Sequence, residues 1–240
     1  MQRFNITVNL AANIPNNLTK PGQGAINFST QLCPDQIVGN VIGGCGQQFR
    51  FQSVNFRGRQ SISNNAPGYC VDYSKVPSGS YIVLILESPH CCEYDQNGDP
   101  IGPANDFNSG GAGNNILKYL NDVFLQSPLF INTLHQNSYK LVLVNAVQYQ
   151  ASQGQSPIDV NARDENWINF WSAGFQDDLS NRLNALIHSS KECHIVNLCT
   201  FGRKGLHFMV NEELRKSGID FFEGYHPSYH WMYPYKRIFY

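Results

Sequence analysis

The sequence predicts an α/β protein: a three-layer α/β/α sandwich with a central four-stranded parallel sheet, preceded by an irregular β-rich N-terminal extension. Two observations lead to this prediction. From Tyr81 onward, continuous apolar segments of strand length alternate with stretches whose apolar residues recur at helical spacing. Apolar strands without polar alternation are typical of parallel sheets covered on both faces. Strands that alternate with helices imply crossover connections and helices on both sides of the sheet.

The predicted elements follow in a regular order. The strands span residues 81–86, 139–144, 194–199 and the shorter 219–222. Apolar residues three and four positions apart predict the intervening helices, which span residues 114–126, 164–188 and 202–216. The rhythm is therefore β-α-β-α-β-α-β.

The first 78 residues differ in composition from the rest. They are rich in Asn, Gln, Gly and Pro, and their short β-like runs at residues 4–10 and 49–56 lie between turn-forming clusters. We therefore predict an extension at residues 1–78 and the α/β/α domain at residues 79–240.

Charge and cysteine content restrict the possible functions. The chain has 240 residues, a formal net charge of −1 and a pI near 6.6, which is not the basic balance of most nucleic-acid binders. Its cysteines lack CxxC spacing and clustered histidines, which argues against a disulfide framework, a zinc site and an iron–sulfur cluster. The cysteines are Cys33, Cys45, Cys70, Cys91, Cys92, Cys193 and Cys199. No cofactor is expected.

The sequence also shows no recognisable targeting signal. No apolar run reaches the roughly 20 residues of a membrane span, and the first residues lack the pattern of a signal peptide. We expect a cytoplasmic monomer without membrane contact.

The residues that follow the predicted strands are polar and suited to chemistry. In parallel sheets the ligand lies at the carboxyl ends of the strands. The four exits there are Glu87-Ser88-Pro89-His90, Asn145, Thr200 and His226-Pro227-Ser228.

Two of these exits carry a resemblance to a known family. A strand followed by Glu-Ser-Pro at 87–89, with Gly-Asp-Pro-Ile-Gly-Pro-Ala at 98–104, precedes a later strand followed by His-Pro-Ser at 226–228. This order resembles the uracil-DNA glycosylase superfamily over roughly residues 81–235. The 98–104 segment is similar to the branch that carries an iron–sulfur cluster, but the cysteine ligands of that branch are missing.

The resemblance implies roles for His226 and Asn145. Hydrolysis of the glycosidic bond produces a departing base anion, and a donor directed at that charge stabilises the transition state. By resemblance, His226 is this donor and acts on a carbonyl oxygen of the pyrimidine. Asn145 would read the edge of the flipped base, since an amide offers both a donor and an acceptor.

The residue that positions the water is less clearly indicated. Ser88 stands where the best-known family has its water-activating Asp. The candidates are Glu87, Ser88 acting with Glu87, or Glu93 and Asp95 further along. We favour Glu87.

The first motif also differs from the motif of the family at two further positions. Leu86 replaces the usual Gly, and His90 replaces the Tyr that excludes 5-substituted pyrimidines. The hypothesis follows that the pocket accepts a pyrimidine with a bulky 5-substituent, such as a hypermodified phage base. Excision of plain uracil alone would instead indicate ordinary repair. Ile101 and Phe107 are candidates for the residue that faces the base.

Contacts with DNA are predicted around the last motif. By resemblance, Tyr229, Trp231 and Met232 form the intercalating loop, which replaces the stacking lost when the base flips. Ser228 and nearby basic residues would contact phosphates; the basic residues are Arg203, Lys204, Lys236 and Arg237. Arg50, Arg57 and Arg59 would extend this track.

The sequence therefore predicts a monofunctional DNA glycosylase that removes a flipped-out pyrimidine, either uracil or, in preference, a 5-modified pyrimidine, and leaves an abasic site. The partner is DNA, in base excision or phage defence. Two alternatives stay open. One is a non-catalytic module of the same fold that binds DNA or a protein. The other is a hydrolase of a small nucleoside or nucleotide, which the pI near 6.6 would suit.

Overall fold

The computed structural model describes residues 32–44, 47–54, 70–95, 99–106, 109–151, 160–201 and 205–240. Within these ranges the chain forms a mixed α/β fold around a six-stranded sheet. The strands are β1 (Gln36–Gly44), β2 (Gln47–Ser53), β3 (Gly79–Leu86), β4 (Ser138–Asn145), β5 (Ser190–Asn197) and β6 (Phe222–Glu223). Their order across the sheet is β2-β1-β4-β3-β5-β6.

The prediction of four strands is corrected to six. β3 runs parallel to β4 and β5, and β5 runs parallel to β6. β1 adds to β4 in antiparallel orientation, and β2 pairs antiparallel with β1. The sequence signal of β1 is weak because Gly and Asn interrupt it. Gly39 is required there, since a Cβ atom would lie 2.3 Å from the carbonyl oxygen of Gln52.

The helices flank this sheet. They are α1 (Ala112–Leu125), α2 (Pro128–Ile131), α3 (Val160–Phe170), α4 (Gln176–Ser189), α5 (Leu206–Lys216) and α6 (Pro227–His230). The long helix predicted at 164–188 is interrupted by a π-helical turn at Trp171–Phe175, where Gly174 has a φ of 124°. This positive φ suits glycine, which has no Cβ atom to clash.

The two faces of β3 contribute to two different hydrophobic clusters. Ile82 and Leu84 belong to a cluster with residues of α1 and α2. Val83 and Ile85 belong to a second cluster with residues of α3, α4 and α5. Each such buried aliphatic side chain stabilises the fold by about 1.5–3 kcal/mol. Burial on both faces is why β3 reads as an uninterrupted apolar run.

The predicted N-terminal extension contributes directly to the sheet. β1 and β2 lie within residues 1–78 and belong to the same sheet as β3. The β-like run at 4–10 and the end of the run at 49–56 lie outside the described residues. Among the helices that the structure describes, none combines the length and apolarity that a membrane crossing needs. Cytoplasmic location and the monomeric state remain predictions.

Candidate active site

The four predicted strand exits meet at one edge of the sheet. Glu87 follows β3, Asn145 ends β4, Thr200 follows β5 and His226 follows β6. The hydroxyl of Thr200 donates a hydrogen bond to Oε2 of Glu87 and joins two of these exits. The chain leaves β3 toward β4 and leaves β5 toward β6, in opposite directions across the sheet, so a topological switch point lies between β3 and β5. Parallel sheets place their ligand sites at such points.

Glu87 is buried, and its carboxylate and its backbone carbonyl oxygen both have partners. Nε of Arg163 lies 3.3 Å from Oε1 of Glu87, and the indole N–H of Trp167 donates to the Glu87 carbonyl oxygen at 2.8 Å. Burial raises the pKa of Glu87, while Arg163 and Thr200 oppose that shift. Both carboxylate oxygens thus have partners, and Ser88, which is half-buried, follows directly.

Arg163 is a site residue that the sequence did not indicate. Besides its contact with Glu87, its charge lowers the pKa of His226, so it lies between the first and the last motif. Nη2 of Arg163 contacts Oδ1 of Asp164 at 2.5 Å, which fixes the guanidinium. No motif surrounds Arg163 in the sequence, and only the folded chain brings it to the site.

His226 is arranged as a neutral hydrogen-bond donor. The backbone N–H of Ser228 donates to Nδ1 of His226 at 3.2 Å, and the Ser228 hydroxyl lies 2.7 Å from the same nitrogen. Because Nδ1 accepts, the ring proton of the neutral form lies on Nε2. Burial lowers the pKa of His226 to about 3, and the charges of His230 and Arg163 act in the same direction. The imidazole is therefore uncharged at neutral pH.

The His-Pro-Ser turn is fixed by α1 and by its own continuation. The side chain of Asn115 donates to the Pro227 carbonyl oxygen at 2.8 Å, and the Tyr229 N–H donates to the Gly110 carbonyl oxygen at 2.9 Å. Tyr229 adopts a φ of 53°, an unfavourable conformation for a residue with a side chain. Such strain persists only where the surroundings impose it, and it is frequent at functional sites.

Asn145 lies at the end of β4, and its side-chain amide faces the carboxyl group of Glu93. Its side chain is 1% exposed, and among the described residues neither Oδ1 nor Nδ2 has a hydrogen-bond partner. Its backbone is held firmly, since its N–H donates to Oδ1 of Asp35 at 3.2 Å and its carbonyl accepts from Arg182 at 3.1 Å. Buried polar groups without partners are uncommon in proteins and suggest a ligand.

A buried ion pair supports Asn145 from below. Nη1 of Arg182 contacts Oδ2 of Asp35, and the hydroxyl of Tyr73 donates to the same oxygen. Burial raises the pKa of Asp35, and Arg182 opposes that shift. Asp35 precedes β1, so a residue of the predicted extension positions the candidate base-reading side chain.

Glu93, one of the alternative water-positioning residues, lies beside Asn145. Its Oε1 accepts the backbone N–H of Ala104 at 3.1 Å, and its Oε2 has no partner among the described residues. Burial raises the pKa of Glu93 to about 8; a side-chain interaction with Asn145 is among the contacts that oppose this shift. Asp95, the other alternative, is half-buried.

His90, Cys91 and Cys92 bring three potential ligand atoms to within 4.8 Å of one another. The Cys92 N–H faces Nδ1 of His90 at 3.5 Å. The hydrogen bond between the two thiols lowers the pKa of Cys91 to about 7 and raises that of Cys92 to about 12. A closed zinc site takes four ligands, and the described residues supply three here, so we assign no metal. The predicted lack of a metal or cluster stays a prediction.

The residues predicted to face the base are placed only in part. Ile101 is buried, and its N–H donates to the Glu93 carbonyl oxygen at 2.8 Å. Phe107 lies outside the described residues. His90 is half-buried at the start of the Cys91–Glu93 turn. Whether these side chains contact a base remains a prediction.

The predicted intercalating loop divides into an exposed tip and a buried anchor. The side chains of Tyr229 and Met232 are 67% and 46% exposed. The prediction for Trp231 is corrected, because this side chain is fully buried and its indole N–H donates to the Tyr225 carbonyl oxygen at 2.8 Å. Trp231 therefore anchors the loop and does not form its surface.

The residues predicted to contact phosphates differ in how strongly other side chains hold them. Lys236 places its ammonium 5.4 Å from the ring centroids of Tyr225 and Tyr233, which is within the range of cation–π attraction. Nη1 of Arg237 instead contacts Asp122 on α1 at 2.8 Å. Arg50 is exposed. Arg57, Arg59, Arg203 and Lys204 lie outside the described residues.

Comparison with known proteins identifies no relative. No protein-family model, no curated protein and no solved structure matches the chain. The geometry of the site is therefore the basis for assigning a function to this protein.

Proposed function

We propose that this protein is a monofunctional DNA glycosylase that hydrolyses the N-glycosidic bond of a flipped-out pyrimidine and leaves an abasic site. One observation carries the proposal. A neutral imidazole with its proton on Nε2 and a buried, unpartnered amide both lie at the carboxyl edge of the parallel strands, at His226 and Asn145. This pair suits a departing pyrimidine. The imidazole N–H of His226 can stabilise the negative charge that develops on the base, and the amide of Asn145 can hydrogen-bond to the edge of the base.

The proposed reaction breaks the bond between C1′ of the sugar and the base nitrogen. The bonding electrons leave with the base, and the Nε2–H of His226 donates to the carbonyl oxygen on which negative charge develops. Water adds to C1′, and Glu87 is the proposed acceptor of its proton. The raised pKa of Glu87 brings this carboxylate nearer the range in which a general base works well.

The layered arrangement of the helices around the sheet is also part of the proposal. We infer a three-layer α/β/α arrangement around the parallel strands β4-β3-β5-β6, with β1 and β2 added at one edge. The two hydrophobic clusters that share β3 support this inference. In such an arrangement the carboxyl edge stays open to a large ligand such as DNA.

The test is release of a base from defined oligonucleotides. Duplexes that contain uracil, 5-hydroxymethylcytosine or its glucosylated form are incubated with the protein, and abasic sites are revealed by strand cleavage. Release of any of these bases by the wild type, with loss in His226→Ala and Asn145→Ala, supports the proposal. Excision of the 5-modified bases in preference to uracil supports the hypothesis that the site leaves room for a 5-substituent beside His90.

Asn145→Ala is expected to slow base release by about 10- to 100-fold, because one or two hydrogen bonds to the base are lost. Single-turnover rates on the best substrate measure this effect. Asn137→Ala, a change in the turn before β4, is the matched control and should keep the wild-type rate. Equal rates for Asn145→Ala and the wild type would contradict base reading by Asn145.

The pKa of His226 gives a prediction on pH. With a folded pKa of about 3 and an unfolded value near 6.5, His226 stays neutral in the folded protein from pH 8 to pH 5. Its imidazole NMR signals, assigned with His226→Asn, should not titrate in that window, whereas a His-Pro-Ser peptide should. Since the folded pKa is depressed, this histidine makes the fold less stable as the pH falls from 6.5 toward 3. Titration near pH 6.5 in the folded protein would contradict the neutral state assigned to His226.

One observation favours the non-catalytic alternative. Both carboxylate oxygens of Glu87 already have partners, Thr200 and Arg163, and no motif residue replaces the missing Asp at Ser88. A protein that binds these duplexes tightly and releases none of the bases would support a binding module. Its affinity should then fall steeply with salt, as phosphate contacts require.

A further inference from the structure

Glu93 and Asn145 form a pair of buried polar side chains with unused hydrogen-bonding capacity. Their side chains belong to residues that are 5% and 1% exposed. Within the described part of the chain, Oε2 of Glu93 and both amide atoms of Asn145 lack a well-formed hydrogen bond, although the Asn145 side chain is near enough to the Glu93 carboxyl group to lower its pKa. A buried polar group without a partner costs about 1–3 kcal/mol. A polar ligand that hydrogen-bonds to both groups would remove this cost, which is the simplest reason for two such groups to lie side by side.

The position of Glu93 is set by the segment that follows it. Oε1 accepts the Ala104 N–H at 3.1 Å, and the Glu93 carbonyl accepts the Ile101 N–H at 2.8 Å. Ala104 has a φ of 55°, a left-handed conformation that costs energy in a residue other than glycine. The segment is thus held in a strained conformation that occupies Oε1 and leaves Oε2 without a well-formed hydrogen bond.

We propose that Glu93, in its un-ionised form, is a second base-reading residue whose Oε2–H acts with the Asn145 amide on the edge formed by N3 and the 4-substituent of the pyrimidine. This inference rests on the proposed function and names the group that its site binds. An un-ionised carboxyl donates through its O–H group, and the amide oxygen of Asn145 accepts. Side by side, they match a base edge that has an acceptor next to a donor.

Uracil and cytosine both carry such a pair of groups, but in opposite order along the edge. The Glu93 donor would therefore face O4 of uracil and N3 of cytosine, and a fixed pair matches the two bases only in different placements. Uracil offers O4 as an acceptor beside the N3–H donor, and cytosine offers N3 as an acceptor beside the 4-amino group. The C5 position is not part of this edge, so the Glu93–Asn145 pair does not exclude 5-substituted bases. A pyrimidine methylated at N3 is excluded, because the methyl group occupies the contact.

The surroundings of Glu93 favour the un-ionised form at neutral pH. Burial raises its pKa to about 8, against the opposing effects of His90, Ala104 and Asn145. The other titratable groups that interact with it are Cys33, Cys91 and Tyr94. As the pH rises through about 8, Glu93 ionises and loses its donor. Glutamine keeps an acceptor for the Ala104 N–H and a donor for the base, and it does not ionise.

Glu93→Gln, Glu93→Ala and the wild type are compared in two measurements. The first is binding of free uracil, free cytosine and 3-methyluracil, followed by NMR at pH 7 and pH 9. The second is single-turnover base release from the oligonucleotide duplexes. Glu213→Gln is the matched control, because Glu213 is also buried but contacts Ser180 on α4. Thermal unfolding confirms that each variant is folded.

The expected results distinguish a hydrogen-bond donor at Glu93 from a carboxylate that acts as a general base. Glu93→Gln binds and releases the base within about threefold of the wild type at pH 7, and Glu93→Ala loses about 10- to 100-fold. At pH 9 binding of cytosine, which does not change its protonation between pH 7 and pH 9, weakens in the wild type but not in Glu93→Gln, and 3-methyluracil does not bind. If Glu93→Gln is as impaired as Glu93→Ala at pH 7, the residue acts as a carboxylate, as a water-positioning group would, and the proposal is overturned.

The two proposals fail in distinguishable ways. Free-base binding that depends on Glu93 without any base release leaves the edge-reading pair in place and overturns the glycosylase. Base release that is equal in the wild type and in a folded Glu93→Ala variant supports the glycosylase and overturns the role of Glu93.

Discussion

His226→Ala is expected to slow base release by about 100- to 1,000-fold, because removal of one donor to a developing anion typically costs that much in the rate of the chemical step. Single-turnover kinetics on the substrate found in the screen measure this loss. Binding of the duplex should change by less than about threefold, since the donor strengthens chiefly as charge develops. The effect should therefore fall on the rate constant and not on affinity.

His188→Ala is the matched control for His226→Ala. His188 lies at the end of α4, on the surface, and contacts only the Asn184 carbonyl among its described partners. Its replacement should leave the rate of base release unchanged. A loss of less than about tenfold in His226→Ala would be too small for an electrophilic donor, and the proposed chemistry would have to be abandoned.

Arg182→Ala is expected to destabilise the fold by about 3–5 kcal/mol, because it leaves the buried Asp35 carboxylate without its cation. Arg182 also donates to the Asn145 and Ala146 carbonyl oxygens, at 3.1 and 3.4 Å, so the end of β4 loses support as well. Urea unfolding of the variant and the wild type measures the difference in the free energy of unfolding.

The control for Arg182→Ala is an exposed pair on α5. Arg215 and Glu212 are both exposed, with Nη1 of Arg215 3.0 Å from Oε1 of Glu212. Arg215→Ala should change the free energy of unfolding by less than about 1 kcal/mol, as is usual for surface ion pairs. Similar effects for the two variants would show that the Asp35–Arg182 pair adds no more than a surface contact.

The parts of the fold and site that depend on local pattern were predictable. The core of β3 is apolar on both faces, so its position and the exit at Glu87 follow from sequence. His226 could be singled out because the His-Pro-Ser sequence after a short predicted strand resembles a motif of the uracil-DNA glycosylase superfamily. These signals involve neighbours in the chain, and they need no knowledge of the tertiary fold.

The parts that depend on distant contacts were not predictable. Asp35 and Arg182 are 147 positions apart, and nothing in either neighbourhood indicates the other. The burial of Trp231 is likewise decided by Tyr225 and Phe239, which pack around it in the folded chain. β1 was missed because its glycines weaken the strand pattern, although close approach to β2 requires Gly39.

The pairing of β1 with β4 has a consequence for synthesis of the chain. β1 ends at Gly44, but its partner β4 begins only at Ser138. At ribosomal speeds of 5–20 residues per second, the edge of β1 that β4 covers waits on the order of ten seconds for its partner. An unpaired strand edge invites wrong pairing. Because Asp35 and His226 lie so far apart in the chain, the candidate site is incomplete until nearly all of the described sequence has emerged.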